Sequence, residues 1–289
     1  MNLDDCIHQV EFKLKRAGLF YGHGTDNAFN EAFGLVMSAL GFSSITGTNR
    51  YDVGDTQQAA IDILVNKRIE TRQPLAYLTK VTQFAGHEFF IDSRAMIPRS
   101  HLSNCITERF KPWAKNEITK ILDLGTGSGC LAVSMALTFP DAQIDATDIS
   151  SKALEVAKIN VRQYGVGSQV RLLEGDLFDP VSPGLYDLIV CNPPYMSNAF
   201  IKGGLLPKEY EHEPKVSFDG GKDGLEIIRR VLRDAHDYLN DSGVLFMEVI
   251  SAAEKMKKIW PDIPFTWIHD SALFTLTSEE LRLSQIDKE

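Results

Sequence analysis

The chain has 289 residues, of which 44% are hydrophobic, so it can bury a sizeable core in one large or two moderate domains. Its formal net charge of −9 at pH 7 argues against general binding to duplex DNA, which relies on Lys and Arg at the phosphates. The cysteines and histidines show no metal-ligand spacing, no stretch suits a membrane span, and the first residues lack a signal-peptide core. We therefore expect a cytoplasmic protein without a metal site.

The first 80 residues carry helical patterns and no strong strand. Apolar residues recur at helical spacing before Ala17, and Asn27 precedes a second predicted helix over Ala28–Leu40. A polar loop over residues 41–54 leads to a third predicted helix over residues 55–70. The positions of this third helix that we expect to face inward are Ala59, Ile61, Ile63, Leu64 and Ile69.

The chain changes character after this helical part. Residues 83–92 predict a β-hairpin that turns at Ala85-Gly86. From residue 97 onwards strands alternate with helices, which predicts an α/β fold with a mainly parallel sheet. The final pair of strands, residues 265–268 and 273–276, is expected to form an antiparallel edge.

A glycine-rich turn follows the first strand of this α/β part. The apolar run 120–124 leads into Gly125, Gly127 and Gly129, and glycine allows positive φ and close approach to a ligand. NAD-binding folds use a similar turn, but their spacing is G-x-G-x-x-G rather than the G-x-G-x-G found here. With Asp123 two residues before the first glycine, the motif resembles the first motif of class I S-adenosylmethionine (SAM) methyltransferases. That resemblance implies a SAM site formed by Asp123, Gly125, Thr126, Gly127, Ser128 and Gly129.

Two further predicted strands end in acidic residues. Asp148 ends the strand after the glycine turn, and its two carboxylate oxygens suit the two hydroxyls of a ribose. Asp176 follows the next strand, where it can accept a hydrogen bond from an adenine amino group while Leu177 packs on the ring. Either acid alone could instead cap a helix or a turn. NAD enzymes also place an acid at the end of this strand to bind ribose, so Asp148 does not distinguish the two cofactors. The order of the two acids after the glycine turn favours the ligand site.

Residues 192–195 read Asn-Pro-Pro-Tyr directly after an apolar strand. The two prolines fix φ and remove two backbone donors, so carbonyl oxygens and the Asn192 side-chain oxygen accept without competing N–H groups. Tyr195 adds a flat face. The tetrapeptide therefore indicates a clamp for a planar –NH2 group at the edge of the sheet where ligands bind, although a strand exit that only turns the chain is the alternative. The clamp residues are Asn192, Pro193, Pro194 and Tyr195, and Asn192 is also expected at the cofactor.

The chain resembles the HemK-like glutamine N(5)-methyltransferases, which modify peptide-chain release factors and one ribosomal protein. The resemblance runs nearly end to end, and residues 21–27 (Tyr-Gly-His-Gly-Thr-Asp-Asn) favour the branch that modifies large-subunit ribosomal protein L-three. It implies a class I SAM-dependent methyltransferase with a seven-stranded sheet, and transfer of a methyl group to a glutamine side-chain nitrogen. Asn192, Pro193 and Tyr195 would be catalytic. The other segments that match are residues 74–79, 84–89, 97–100, 206–214, 221–225 and 264–267.

The same resemblance suggests how the chain divides its work. Residues 1–80 would dock the protein substrate, residues 81–96 would form a hairpin linker, and residues 97–289 would perform the transfer. An acidic enzyme suits a basic partner such as a ribosomal protein. In the loop beyond the tetrapeptide, three acids are either substrate-binding residues or solvated charges: Glu211, Glu213 and Asp223.

Three places depart from the family pattern: residues 101–105 lack the usual acid, Ile250 replaces a glycine, and residues 267–273 lack a glycine turn. Three other functions stay open on the sequence. A release-factor glutamine methyltransferase would share every motif. An exocyclic-amine DNA methyltransferase would use the same tetrapeptide for its planar –NH2. An inactive SAM-binding assembly protein would keep the cofactor motifs alone.

Overall fold

A computed structural model describes residues 1–42, 51–114, 116–184, 186–270, 272–284 and 286. Most of the predicted polar loop over residues 41–54 lies outside this range. The α-helices are α1 Leu3–Arg16, α2 Ala28–Leu40, α3 Asp55–Thr71, α4 Leu75–Thr79, α5 Leu102–Thr107, α6 Cys130–Thr138, α7 Ser151–Gln163, α8 Asn198–Lys202, α9 Glu226–Asp234, α10 Ala253–Ile259 and α11 Ser278–Leu283. The strands are β1 Val81–Phe84, β2 His87–Phe90, β3 Lys120–Leu124, β4 Gln143–Asp148, β5 Val170–Glu174, β6 Tyr186–Cys191, β7 Leu239–Glu248, β8 Thr266–Ile268 and β9 Leu273–Thr277.

The first four helices pack around their own apolar core, and we call this part (residues 1–80) the helical region. The predicted bounds of α2 are confirmed, and the Asn27 side chain caps it by accepting from the Asn30 N–H at 2.9 Å.

Helix α3 buries part of the face that was predicted, since Ile61 is buried and Leu64 and Ile69 pack against the core. Ile61, Val65 and Arg68 are buried, whereas Ala59 and Ile63 are exposed. The prediction for Ala59 and Ile63 is wrong because residues two positions apart lie on opposite sides of a helix. The buried face therefore includes a charged residue, Arg68, which a search for apolar residues at helical spacing does not detect.

The predicted hairpin is confirmed. Phe84 pairs with His87, so the turn consists of Ala85 and Gly86, with φ values of 48° and 79°. The hairpin is fixed to the remainder of the chain by Asn160 of α7. This side chain accepts from the Phe90 N–H at 2.8 Å and donates to the Ser128 carbonyl at 2.8 Å. One buried amide thus joins the hairpin to the glycine turn.

The described strands after the hairpin form one sheet of seven, in the order β5-β4-β3-β6-β7-β9-β8. The first five run parallel, and β9 pairs antiparallel with both β7 and β8, which confirms the predicted fold and its antiparallel edge. Two large apolar clusters cover the sheet. Since β3 lies between β4 and β6, the glycine turn, Asp148 and the Asn-Pro-Pro-Tyr exit meet at one edge. Within the described residues, no helix is long and apolar enough to span a membrane.

Candidate active site

The glycine turn after β3 is fixed to the end of β4. The N–H groups of Gly125 and Thr126 both donate to the Thr147 carbonyl at 2.9 Å, and the Gly127 N–H donates to Asp148 Oδ2 at 2.8 Å. Gly125 and Gly127 have φ values of 72° and 57°, a region that strains other residues. The turn therefore exposes backbone where a side chain would otherwise stand.

Asp123 lies fully buried beneath this turn. Its Oδ2 accepts from the Thr126 hydroxyl at 2.7 Å, while Oδ1 has no partner among the described residues. Burial raises the pKa of Asp123 to about 7, and the nearby charge of Asp148 adds to the increase. An unpartnered buried carboxylate oxygen is costly, so the position favours a donor or a positive charge above the turn.

A cavity of about 240 Å³, which we call the glycine-turn cavity, lies above the turn. Asp148 reaches it while its carboxylate also accepts from the Ser150 N–H at 2.8 Å. Asp176 reaches it while paired with Arg230 at 2.8 Å. Of the predicted cofactor residues, those that line this cavity are Gly125, Thr126, Gly127, Ser128, Asp148, Asp176, Leu177 and Asn192. Gly129 instead packs against Ala157, where a Cβ would come within 2.9 Å.

A second cavity of about 740 Å³, the strand-exit cavity, opens at the carboxyl end of β6. All four residues of the tetrapeptide line it, together with parts of the loop over residues 197–225, which we call the downstream loop. Pro193 is buried, and Tyr195 packs against the core of α9 and α10. Burial raises the pKa of Tyr195, so its hydroxyl stays protonated at neutral pH.

Asn192 lies where the two cavities meet. Its side chain lines both of them and is half-buried. No hydrogen bond joins its amide to another side chain or backbone group in the described part of the chain. An acceptor without a partner at the junction of two cavities is available to whatever binds there.

Two glycines of the downstream loop pack directly on the tetrapeptide. A Cβ at Gly220 would lie 2.8 Å from the Pro194 carbonyl oxygen, and one at Gly224 would lie 2.6 Å from that of Tyr195. Gly224 also has a φ of 80°. These positions require glycine, because any side chain would displace the backbone that carries the clamp.

Comparison with known proteins decides between the possible families. The methyltransferase small domain family matches residues 103–205. The ribosomal protein uL3 glutamine methyltransferase of Bordetella pertussis is 38% identical over 287 residues, which cover 96% of each chain. That of Neisseria meningitidis serogroup A is 39% identical over 285 residues, covering 96% of this chain and 93% of the other. The chain belongs to the ribosomal protein uL3 glutamine methyltransferase family.

A solved structure agrees on the fold. The hMettl16 catalytic domain in complex with MAT2A 3'UTR hairpin 1 matches with a TM-score of 0.51, covering 81% of this chain and 85% of that one. At 15% identity this likeness shows the fold alone. The predicted family and the predicted methyltransferase activity are confirmed by the relatives, and SAM is the cofactor of this methyltransferase.

The glycine-turn cavity suits SAM by the chemistry of its hydrogen-bond acceptors. Asp148 offers carboxylate oxygens for a ribose, and Asp176 with Leu177 offers an acceptor and an apolar face for an adenine. The unpartnered oxygen of Asp123 lies beneath the turn, where it favours the cationic methionine part. Among the described residues, no group of His, Cys, Asp and Glu side chains is arranged to hold a metal ion.

The three acids of the downstream loop take three different positions. Glu211 is exposed and lines neither cavity. Glu213 is buried and accepts two hydrogen bonds from Arg99, each 2.7 Å long. Burial alone would raise the pKa of Glu213, but its contacts with His23 and Arg99 lower it to about 2. Asp223 lines the strand-exit cavity and pairs with Arg229 at 2.8 Å. Of the three, Asp223 alone reaches a cavity.

The sequence reasoning missed Glu248, which lines the strand-exit cavity from the end of β7. It accepts from the Ser100 hydroxyl at 2.5 Å and from the His101 N–H at 2.8 Å. Burial raises the pKa of Glu248 to about 7 although these hydrogen bonds oppose the increase. Two departures from the family pattern meet beside it, since the rings of His101 and His269 stack 6.3 Å apart.

Besides Arg230, which pairs with Asp176, two further arginines that line the glycine-turn cavity were missed, and both are held by acids. Arg94 donates to Asp92 and to Glu155 at 2.7–2.9 Å, while Arg99 is held by Glu213. The segment that matches the family at residues 97–100 was the available signal for Arg99.

Proposed function

We propose that this methyltransferase transfers a methyl group from SAM to the side-chain amide nitrogen of a glutamine in ribosomal protein uL3. The observation that carries the proposal is the position of Asn192, whose free acceptor stands between a cofactor cavity and a larger second cavity. The relatives named for this activity at 38–39% identity support the choice of substrate.

The residues at the strand exit account for the chemistry. SAM supplies an electrophilic methyl group when it is bound. The Asn192 side-chain oxygen and the Pro193 carbonyl accept hydrogen bonds from the two protons of the glutamine amide. These bonds strengthen as positive charge develops on the nitrogen, so they stabilise the transition state more than the ground state. They also orient the nitrogen, while Tyr195 packs against the amide plane. No strong base is needed, because the methylated amide loses its proton readily.

The strand-exit cavity favours a segment of protein over a single side chain. Its volume of about 740 Å³ falls within the range of pockets that enclose whole ligands. The cavity therefore takes the target glutamine with some of its neighbours. Asp223 lies on its wall as a substrate-binding candidate, whereas Glu213 acts through Arg99.

We assign the selection of the protein partner to the helical region, residues 1–80, with residues 81–96 as linker and residues 97–289 as the transferring domain. A net charge of −9 suits a basic partner, whose association should slow as salt rises. The four cysteines are free and buried, as expected for a protein that works in the cytoplasm.

The test is methylation of purified substrates by the purified chain. Unmethylated uL3, a peptide-chain release factor and adenine-containing DNA would each be incubated with SAM, and the products analysed by mass spectrometry. We expect one methyl group on one glutamine peptide of uL3 and a much lower rate on the release factor. Preferential methylation of the release factor would move the chain to the other branch of the family. Transfer to DNA alone would overturn the proposal.

A further inference from the structure

The downstream loop is attached to the helical region by a buried acid, Glu209. This side chain is 0% exposed, and its Oε1 accepts from the Phe20 N–H at 3.0 Å. The same oxygen lies 2.8 Å from Arg72 Nη2 and 3.4 Å from Arg68 Nη1. All three partners belong to the helical region, and they lie between about 140 and 189 residues before Glu209 in the chain.

On the other side of this contact the helical region supplies two guanidiniums and one carboxylate, so Glu209 completes the charge balance. Arg68 is 1% exposed, pairs with buried Glu31 of α2, and donates to the Phe20 carbonyl at 3.0 Å. Buried charges are tolerated only when they are paired and hydrogen-bonded. Two carboxylates and two guanidiniums meet here, and only Glu209 comes from the downstream loop.

A second attachment lies four residues further along the loop. Glu213 holds Arg99, accepts from the Ile97 N–H at 3.0 Å and lies 3.4 Å from the His23 ring. The His23 ring is 4% exposed and packs edge-on against Tyr210 at 4.7 Å. At His23, therefore, the branch-specific segment 21–27 contacts the downstream loop rather than solvent.

Much of the downstream loop has little apolar core of its own. Phe200, Leu205 and Val216 are 43%, 73% and 51% exposed. Yet the loop lines both cavities and carries the glycines that pack on the tetrapeptide. Apolar burial contributes little at these three positions, and Phe218 and Leu225 anchor only the last part of the loop, so the buried acids at Glu209 and Glu213 are needed to hold its middle part.

We propose that Glu209 is a positioning residue for methyl transfer, which fixes the downstream loop through Arg68, Arg72 and Phe20. The helical region then supports one wall of the active site from behind, in addition to its proposed role as a docking surface. The effect on turnover rests on the proposed function, but the attachment of the loop does not.

The experiment compares Glu209→Gln with Glu31→Gln in the full-length chain. Each variant removes one buried carboxylate that faces Arg68, and both should lower the thermal unfolding temperature. Only Glu209→Gln weakens an attachment of the loop, whose middle part then depends on Glu213, so only this variant should accelerate limited trypsin cleavage several-fold. It should also lower kcat/KM on uL3 about ten- to a hundredfold, because small misplacements of substrate-positioning groups are costly. The cleavage sites to follow are Lys202, Lys208 and Lys215, all of which are exposed.

A milder variant covers the case in which Glu209→Gln fails to fold. Arg72 is a quarter exposed, and Arg72→Met removes its contact with Glu209 while leaving the Arg68–Glu31 pair intact. Arg72→Met should also accelerate trypsin cleavage and lower kcat/KM on uL3, but both changes should be smaller than in Glu209→Gln. Wild-type cleavage and kinetics in both variants, or equal defects in Glu31→Gln, would overturn the inference. The cleavage result stands even if uL3 proves not to be the substrate.

Discussion

The predicted residues of the two cavities come together in different ways along the chain. In the glycine-turn cavity, Asp148, Asp176 and Asn192 follow successive strands, although residues between 94 and 100 and part of the downstream loop also line it. The strand-exit cavity is completed by the downstream loop. Phe20 and Arg72 bind Glu209 of this loop, and Arg99 binds Glu213. These partners lie 114–189 residues apart in the chain. The strand-end groups of the first cavity are therefore a local product of sheet topology, whereas the loop wall of the second cavity is a tertiary product. Substitutions in the two should therefore separate cofactor binding from transfer.

The largest separation is expected at Asn192, the residue that both cavities share. Asn192→Ala should leave the affinity for SAM within a few-fold and reduce turnover on uL3 about a hundredfold or more, because a preorganised acceptor is lost at the reacting nitrogen. Calorimetry with SAM and steady-state methyl transfer would measure the two effects. A variant with near-normal transfer would show that Asn192 only shapes the exit of β6.

The contrast also explains what could be predicted from the sequence. The glycine turn, Asp148, Asp176 and Asn192 follow successive strands, and parallel strands of one sheet end at the same edge, so local patterns sufficed to group them. The mainly parallel sheet followed from the alternation of strands and helices, and its antiparallel edge from the resemblance to class I methyltransferases. Glu209 was not singled out, because its partners come from the distant helical region.

Two other residues show the limit of pattern reading. Glu213 was expected either at the substrate or in solvent, yet its oxygens bind Arg99 and the Ile97 backbone in the interior. Glu248 was not expected at all, although it stands at the end of a strand as Asp148 does. Burial decides both cases, and burial of an isolated acid is a tertiary property that no spacing of residues reports.

The second prediction concerns the cofactor side alone. Asp148→Ala should weaken SAM binding by roughly 1–3 kcal/mol, because hydrogen-bond partners are left without an acceptor. The backbone N–H groups of Gly127 and Ser150 lose their acceptor as well, so the glycine turn should loosen. Calorimetric titration measures the affinity.

A control for Asp148 lies on the same strand. Asp145→Ala removes a carboxylate that pairs with Arg171 at 2.7 Å and does not line the glycine-turn cavity. It should leave the affinity for SAM unchanged. Equal losses in the two variants would mean that β4 was damaged as a whole, and unchanged affinity in Asp148→Ala would remove Asp148 from the site.

The third prediction uses the buried carboxylate beneath the turn. Burial raises the pKa of Asp123 to about 7, so this residue becomes protonated as the pH falls from 8 to 6. The ionised form favours a cationic cofactor, and the affinity for SAM should therefore fall about tenfold over that range. Calorimetry in buffers of different ionisation enthalpy should detect proton release on binding near pH 7.

The pKa of Asp123 has the opposite consequence for the free protein. A carboxyl pKa raised above its unfolded value of about 3.9 means that the native state binds the proton more tightly. The contribution of Asp123 to stability is then present at low pH and is lost as the pH rises from about 4 to 7. Glu248 also has a pKa raised to about 7, so the variant Asp123→Asn is needed to isolate the contribution of Asp123 to the pH dependence of stability.

The same variant tests the pH dependence of cofactor binding. Asp123→Asn should flatten the change in SAM affinity between pH 6 and pH 8. If the affinity still falls with pH in this variant, another titrating group is responsible.

The smallest effect is expected at the rim of the strand-exit cavity, at Ile250. This side chain is 43% exposed and stands where the family pattern has glycine. Covering its exposed part with an apolar neighbour of the target glutamine would contribute about 0.6–1.1 kcal/mol, taking about 1.5–2.5 kcal/mol for full burial of an isoleucine. Ile250→Ala should therefore raise KM for uL3 about three- to sixfold, with kcat and SAM affinity unchanged. Ile259→Ala is the matched control, because Ile259 is 42% exposed on α10 and lines neither cavity. Equal rises in KM for the two variants would show that the effect is not specific to the rim, and an unchanged KM for Ile250→Ala would remove Ile250 from the substrate contact.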